Sequence, residues 1–259
     1  MILYYSGTGN SKFVARSLAN LTGEEACFIP KCDPLKLTFS GDFLIFCFPV
    51  YSWGVPPFVI NYISLINQQF LDKVKREGIP VIMICTAGDE VALTPQMFEA
   101  EMRKRDLDVT ALWSIIMPND YVMLPGFDVD DDALAKRKQQ DAKVRVRGIA
   151  EKILEHKWER DVAKGKFPKI KSRIIYPLFV KWGVTPSWWK ASGACIGCGR
   201  CSRVCPVENI DFRKGRPEWH NNCLSCTACY QICPVNAISY GAFTRGKGQY
   251  FCGLDPLES

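Results

Sequence analysis

Histidine is nearly absent from this 259-residue chain. The two present, His156 and His220, share no motif with an Asp or a Ser, so no histidine-centred catalytic constellation is expected. A secretory signal is also lacking. Met1 opens directly into the strand-like run Ile2, Leu3, Tyr4, Tyr5, without a basic leader or a small-residue cleavage site, and a cytoplasmic protein is expected. No charged residue stands between Asp42 and Asp72, a stretch long enough for a membrane span. Pro49, Gly54, Pro56 and Pro57 would break a spanning helix in its middle, so a buried strand, a loop and a helix are expected there, with no transmembrane segment. At 47% hydrophobic and 23% charged residues, neither disorder nor collagen-like repetition fits.

Cysteine, by contrast, is plentiful and uneven: eight of the 13 lie between Cys195 and Cys233. Clustered cysteines in a chain without a secretory signal point to metal, not disulfides. Cys47 and Cys85 fall in apolar strand runs, where a thiol behaves as a small hydrophobe. Cys27, Cys32 and Cys252 read as incidental, Cys252 as a candidate for exposure. Charge is uneven too. Residues 1–158 carry a net −2 and residues 159–259 a net +8.

Apolar runs of strand length occur at 2–5, 27–30, 43–48, 79–85 and 109–117, with helical spacing between them and a long polar-faced helix expected over 131–158. Strands buried on both faces and separated by helices predict a doubly wound α/β domain with a five-stranded parallel sheet over residues 1–158. Ligands of such folds bind at the carboxyl ends of the strands. The first such loop is Ser6, Gly7, Thr8, Gly9, Asn10, Ser11, which combines two glycines, four polar side chains and a following helix N-terminus, an anion site without formal charge. Lys12 stands where a dinucleotide fingerprint needs glycine, and a P-loop Gly-Lys-Ser/Thr is missing, so a mononucleotide phosphate fits best. An ordinary polar turn with a helix cap is the plain alternative.

Residues 2–11 resemble the phosphate loop of the flavodoxin family. The resemblance implies FMN, with the flavin ring enclosed by the loops after the third and fourth strands, here Pro49, Val50, Tyr51, Ser52, Trp53, Gly54 and Thr86, Ala87, Gly88, Asp89. Tyr51 and Trp53 offer flat faces for the ring. The Trp53–Gly54 peptide is the candidate to turn toward it, because Gly54 can adopt a positive φ with little penalty. Asn119, Asp120 and Tyr121, after the fifth strand, are further candidates.

An internal repeat follows. Aligning 195–210 with 223–238, a period of 28, matches seven of sixteen positions, and each copy reads C-x2-C-x2-C-x3-C-P, the ferredoxin-type iron–sulfur run. In two-cluster domains the fourth cysteine serves the other cluster. This assigns Cys195, Cys198, Cys201 and Cys233 to one 4Fe-4S cluster and Cys223, Cys226, Cys229 and Cys205 to the second, in a small α+β ferredoxin-like domain over 193–259. Zinc, which needs only four cysteines, is the alternative.

The whole chain resembles the ferredoxin-fused flavodoxins, joined by a connector over 159–192. The connector holds eight Lys and Arg against two acidic residues, interleaved with aromatics. Domain docking by the aromatics, a basic patch for an acidic redox partner, and an interfacial membrane or nucleic-acid contact are its possible uses, with docking foremost and no nucleic acid expected. The resemblance implies electron transfer between the clusters and FMN, to or from redox partner proteins. An FMN-dependent reductase of a small organic substrate is the alternative, and a cluster-based redox sensor a third.

Overall fold

The computed structural model describes residues 1–182 and 186–258; residues 183–185 of the expected connector lie outside the described part. The apolar runs form β1 (Ile2–Tyr4), β2 (Ala26–Phe28), β3 (Leu44–Pro49), β4 (Val81–Ala87) and β5 (Ala111–Ile116). Helices α1 (Asn10–Thr22), α2 (Pro57–Leu65), α3 (Gln68–Arg76), α4 (Thr94–Arg103) and α5 (Asp132–Leu154) alternate with them. The strands pair in parallel in the order β2-β1-β3-β4-β5-β6, one strand more than expected. That sixth strand, β6 (Arg160–Asp161), is two exposed charged residues pairing with Leu112 and Trp113, and it carries no apolar signal to read in sequence.

Side chains alternate to the two faces of the sheet and are buried on both. On one face Phe46, Phe48 and Phe98 pack with Val59 and Phe70 of α2 and α3. On the other, Trp113, Ile45 and Ile84 pack with Phe13 and Leu18 of α1 and Val146 and Ile149 of α5. The charge-free stretch is β3 followed by two helices in place of the expected one. Asn67 breaks it, its side chain accepting from the Phe70 N–H at 2.9 Å to cap α3.

After β6 the chain forms a continuous helix over 168–182: α6 (Pro168–Ile170), a π-helical segment (Lys171–Ile175) and α7 (Tyr176–Trp182). Pro177 has no N–H to close a turn on Arg173, and the helix widens just before it. The cysteine-rich part contains β7 (Trp189–Ala191), α8 (Arg200–Val204), β8 (Ile210–Arg213), β9 (Arg216–Trp219), α9 (Ala228–Gln231) and β10 (Ile238–Tyr240), with β7 antiparallel to β10 and β8 to β9.

The chain then returns to its beginning. Cys252 N–H donates to the Thr8 carbonyl at 2.8 Å, Leu257 N–H to Ser17 Oγ at 2.9 Å, and Asn20 Nδ2 to the Leu257 carbonyl at 3.0 Å. Cys252 is therefore buried, contrary to expectation, in the core under α1 and α5. Cys27 and Cys32 are not incidental either: they form a disulfide across the turn that ends β2, their Cα atoms 6.5 Å apart and so within bridging range. Leu257→Ala should cost about 2 kcal/mol, the lower end for a buried leucine, in equilibrium denaturation, since it strips the tail of its core anchor.

Candidate cofactor sites

A cavity of about 210 Å³ opens at the carboxyl ends of β1, β3, β4 and β5. The loop after β1 forms one wall, and its side chains are buried and tied to protein partners. Ser6 Oγ accepts from Gly9 N–H at 3.2 Å, Ser11 Oγ bonds Thr86 Oγ1 at 2.7 Å, and Asn10 Nδ2 donates to the Pro118 carbonyl at 3.0 Å. Thr8 Oγ1 donates to Asp120, and Tyr250 OH to Asn10 Oδ1 at 3.0 Å. With these side chains committed, the donors free for an anion are the first-turn backbone N–H groups of α1, at the positive end of its dipole.

The opposite wall is aromatic. Tyr51, Trp53, Tyr121, Phe127 and Phe179 meet edge to face with ring centroids 5.8–6.5 Å apart. Behind them the Tyr5 and Tyr51 hydroxyls share a hydrogen bond of 2.9 Å. The loops after β4 and β5 are held by Lys138 of α5, whose Nζ donates to the Gly88 carbonyl at 2.8 Å and to Asp130 at 2.7 Å, while Asp130 accepts from Asn119 N–H at 3.0 Å. One hydroxyl in the cavity wall, Ser52 Oγ, is buried without a partner, while Ser225 Oγ turns to the Cys223 sulfur. An aromatic-lined cavity with an unpartnered hydroxyl on its wall and a helix N-terminus at one end could hold a planar group that carries an anion.

The eight clustered cysteines surround two smaller cavities. One is lined by Cys195, Cys198, Cys201 and Cys233, the second by Cys205, Cys223, Cys226 and Cys229. The sequence repeat is also a conformational one. Gly197 and Gly199 in the first run and Ser225 and Thr227 in the second share left-handed φ between 53° and 68°, and Glu208 and Asn236 after each proline are left-handed too, at 53° and 47°. These turns aim backbone donors at sulfur: Asn209 N–H at Cys205 Sγ and Ala237 N–H at Cys233 Sγ, both at 3.2 Å. Among the described residues no three His, Cys, Asp or Glu side chains converge on a single-ion site; the sulfurs stand around a space instead.

The two sets differ in depth. Cys198 is exposed and Cys195 half-buried, while burial pushes the Cys226 thiol up to about 12. A thiolate at that depth needs a positive charge beside it, as a metal centre would supply. The indole N–H groups of Trp189 and Trp219 are buried without an oxygen partner, beside Cys223 and Cys229.

Residues 187–234 match the family described as 4Fe-4S dicluster domain. The chain carries an iron–sulfur domain with an electron-transfer role. The matched segment contains all eight clustered cysteines, as the repeat implies. Among solved structures, the Trp repressor binding protein from Bacillus subtilis is similar over 60% of this chain and 96% of its own, at 16% identity and a TM-score of 0.37. No curated protein matches. The flavodoxin-like α/β character of the first half therefore rests on its own sheet order and parallel pairing.

The iron–sulfur domain is part of the large cavity's wall. Ser225, Cys226 and Thr227 line it together with fourteen of the sixteen loop residues proposed from sequence. Gly9 and Gly54 are the two left out. Gly9, at φ 104°, caps α1 and sits against Cys252, where an added Cβ would fall 2.8 Å from its carbonyl oxygen. Gly54 is set differently. Ser52 and Trp53 carry the positive φ values (45° and 63°) of a tight turn closed by reciprocal Tyr51 and Gly54 hydrogen bonds of 3.0 Å, and Gly54 does not. Its missing Cβ makes room for the Tyr176 ring of α7. Glu90, Pro118, Leu124, Phe127 and Phe179 also line the cavity and escaped notice, since each comes from a loop or helix with no local motif. Asp120 lines it too, as the residues after the fifth strand suggested.

Asp120 is buried under the phosphate-type loop, and that burial pushes its carboxyl up to about 6, with the Thr8 hydroxyl acting the other way. A carboxylate with a raised folded pKa binds its proton more tightly in the folded state, so stability falls as pH rises from the ordinary value of 3.8 toward 6. Asp120→Asn should abolish that fall and make the metal-loaded protein more stable at pH 8 by up to about 3 kcal/mol, with little change at pH 4. Denaturant titrations at the two pH values measure it; equal pH dependence in both proteins would exclude a buried ionisable Asp120.

Proposed function

We propose that the protein is a cytoplasmic iron–sulfur flavoprotein that moves electrons between two 4Fe-4S clusters and FMN and exchanges them with redox partner proteins. One observation carries the reading: Cys226 and Thr227 line both the large cavity and the cavity of the second cysteine set. Iron–sulfur cubes pass electrons one at a time, and a flavin holds one or two. The first-turn N–H groups of α1 and the loop at 6–11 would take the FMN phosphate, and Tyr51, Trp53 and the loop at 86–89 the ring. Cys205, Cys223, Cys226 and Cys229 would hold the cluster beside the flavin; Cys195, Cys198, Cys201 and Cys233 would hold the one nearer the surface. Gly7 supports this contact, because a Cβ there would lie 2.6 Å from Cys226 Cβ. Phe179 and the aromatic wall would keep bulk water off the ring.

Anaerobically prepared protein should contain about eight irons and eight labile sulfides; zinc or about four irons would sink the two-cluster assignment. Cys205→Ala should remove iron from the set containing Cys226, and Cys233→Ala from the set containing Cys198, a crossing that spectroscopy of the residual cluster in each variant resolves. FMN should bind more tightly than riboflavin. The preference should weaken as pH rises through about 6, where Asp120 ionises near the phosphate, and persist in Asp120→Asn. Flavin reduction by a one-electron protein donor should slow at least about tenfold in Cys205→Ala; an unchanged rate would favour a reductase that receives electrons directly at the flavin.

A further inference from the structure

The helix over 168–182 has a buried face and a bare one. Ser172, Tyr176 and Phe179 turn inward: Ser172 Oγ donates to the Trp53 carbonyl at 2.6 Å, Tyr176 OH to the Val55 carbonyl at 2.6 Å, and Phe179 closes the large cavity. Outward, Phe167, Ile170, Ile174 and Leu178 repeat at intervals of three and four and are 71%, 51%, 56% and 45% exposed. This spacing puts four large apolar side chains in one stripe along the helix. Trp182, with the Lys181 ammonium 4.7 Å from its ring centroid, stands at the far end. Single exposed hydrophobics are ordinary, whereas a contiguous row on one helix marks a contact surface.

The charge around the stripe identifies the contact. Lys166, Lys169, Arg173 and Lys181 are exposed and interleaved with it, and no Asp or Glu occurs between Asp161 and Glu208. A two-fold dimer through this face would set the same cations against themselves. The stripe is also convex, on the outside of a helix, and suits a flat apolar boundary better than a protein groove. Among the described residues no helix is long and apolar enough to cross a bilayer. We propose that this helix lies on anionic lipid surfaces, its apolar stripe in the acyl boundary and its lysines and arginine at the headgroups. Buried apolar area and attraction of basic residues to anionic lipid are the two signals that stable interfacial binding needs. The surface thus held lies directly over the aromatic wall of the large cavity, because Phe179 belongs to the same helix.

Sedimentation of the full metal-loaded chain with vesicles tests this, comparing phosphatidylcholine alone with phosphatidylcholine containing a third phosphatidylglycerol. Binding should be at least tenfold stronger to the anionic vesicles and fall steeply with salt. The double variant Ile174→Glu, Leu178→Glu should lose it, while Lys169→Gln or Arg173→Gln should each weaken it about fivefold. All four sites are exposed, so iron content and thermal unfolding report whether the variants remain folded. The proposal is overturned if the parent does not sediment with anionic vesicles, or if the glutamate variant, intact by those measures, binds as well as the parent. It is equally overturned if the parent is a dimer that the glutamate variant turns into a monomer, which would make the stripe a protein interface. Each outcome is independent of the electron-transfer reading, which iron and flavin content test separately.

Discussion

The close approach of the second cysteine run to the loop after β1 is the contact on which the rest of the molecule depends. Gly7 is a place where backbone must come within van der Waals reach of Cys226, and any side chain there would push the two parts of the chain apart. Around that point the chain is stitched by hydrogen bonds at large sequence separation. The Asp120 carbonyl accepts from Gln231 Nε2 and from Thr227 Oγ1, and the Thr8 carbonyl accepts from Cys252 N–H. The loop after β1 is thus a docking surface for the iron–sulfur domain.

That arrangement gives the cysteine sets an order in space. The second set reaches the large cavity through Cys226, the first contributes no residue to it, and the repeat that generates both is nearly symmetrical in backbone conformation. Exposure distinguishes them: buried indole N–H groups stand beside the inner sulfurs, none of which is exposed, while solvent reaches Cys198. Depth, hydrogen bonds to sulfur and solvent exposure are the means by which a protein sets cluster potentials, so two nearly identical motifs need not be equivalent.

The connector is more than a tether. Its first residues complete the sheet as β6, its helix covers the cavity with Phe179, and Tyr176 occupies the space left by Gly54. Of its aromatics, Tyr176, Phe179 and Trp189 are buried as domain packing requires, whereas Phe167, Trp182 and Trp188 stay outside. Composition alone cannot separate the two groups, because both are aromatic and both sit among lysines.

The sequence by itself determined the features that depend on short-range spacing. Five strand runs, the loop after the first of them, and the eight cysteines in two copies are legible because each is a local pattern: period two or 3.6 in apolarity, or fixed offsets that let backbone wrap a cluster. Only the tertiary structure decided what depends on approach between distant segments. Cys233 lines a cavity with the first set and Cys205 with the second, but the proximity of Cys226 to the large cavity, the return of residues 250–257 and the packing of Tyr176 on Gly54 have no local signature. Gly54 draws attention in the sequence because glycine permits a positive φ. The structure adds a steric constraint, set by a ring 122 positions further along the chain, and a missing side chain reads the same in sequence whichever constraint removed it.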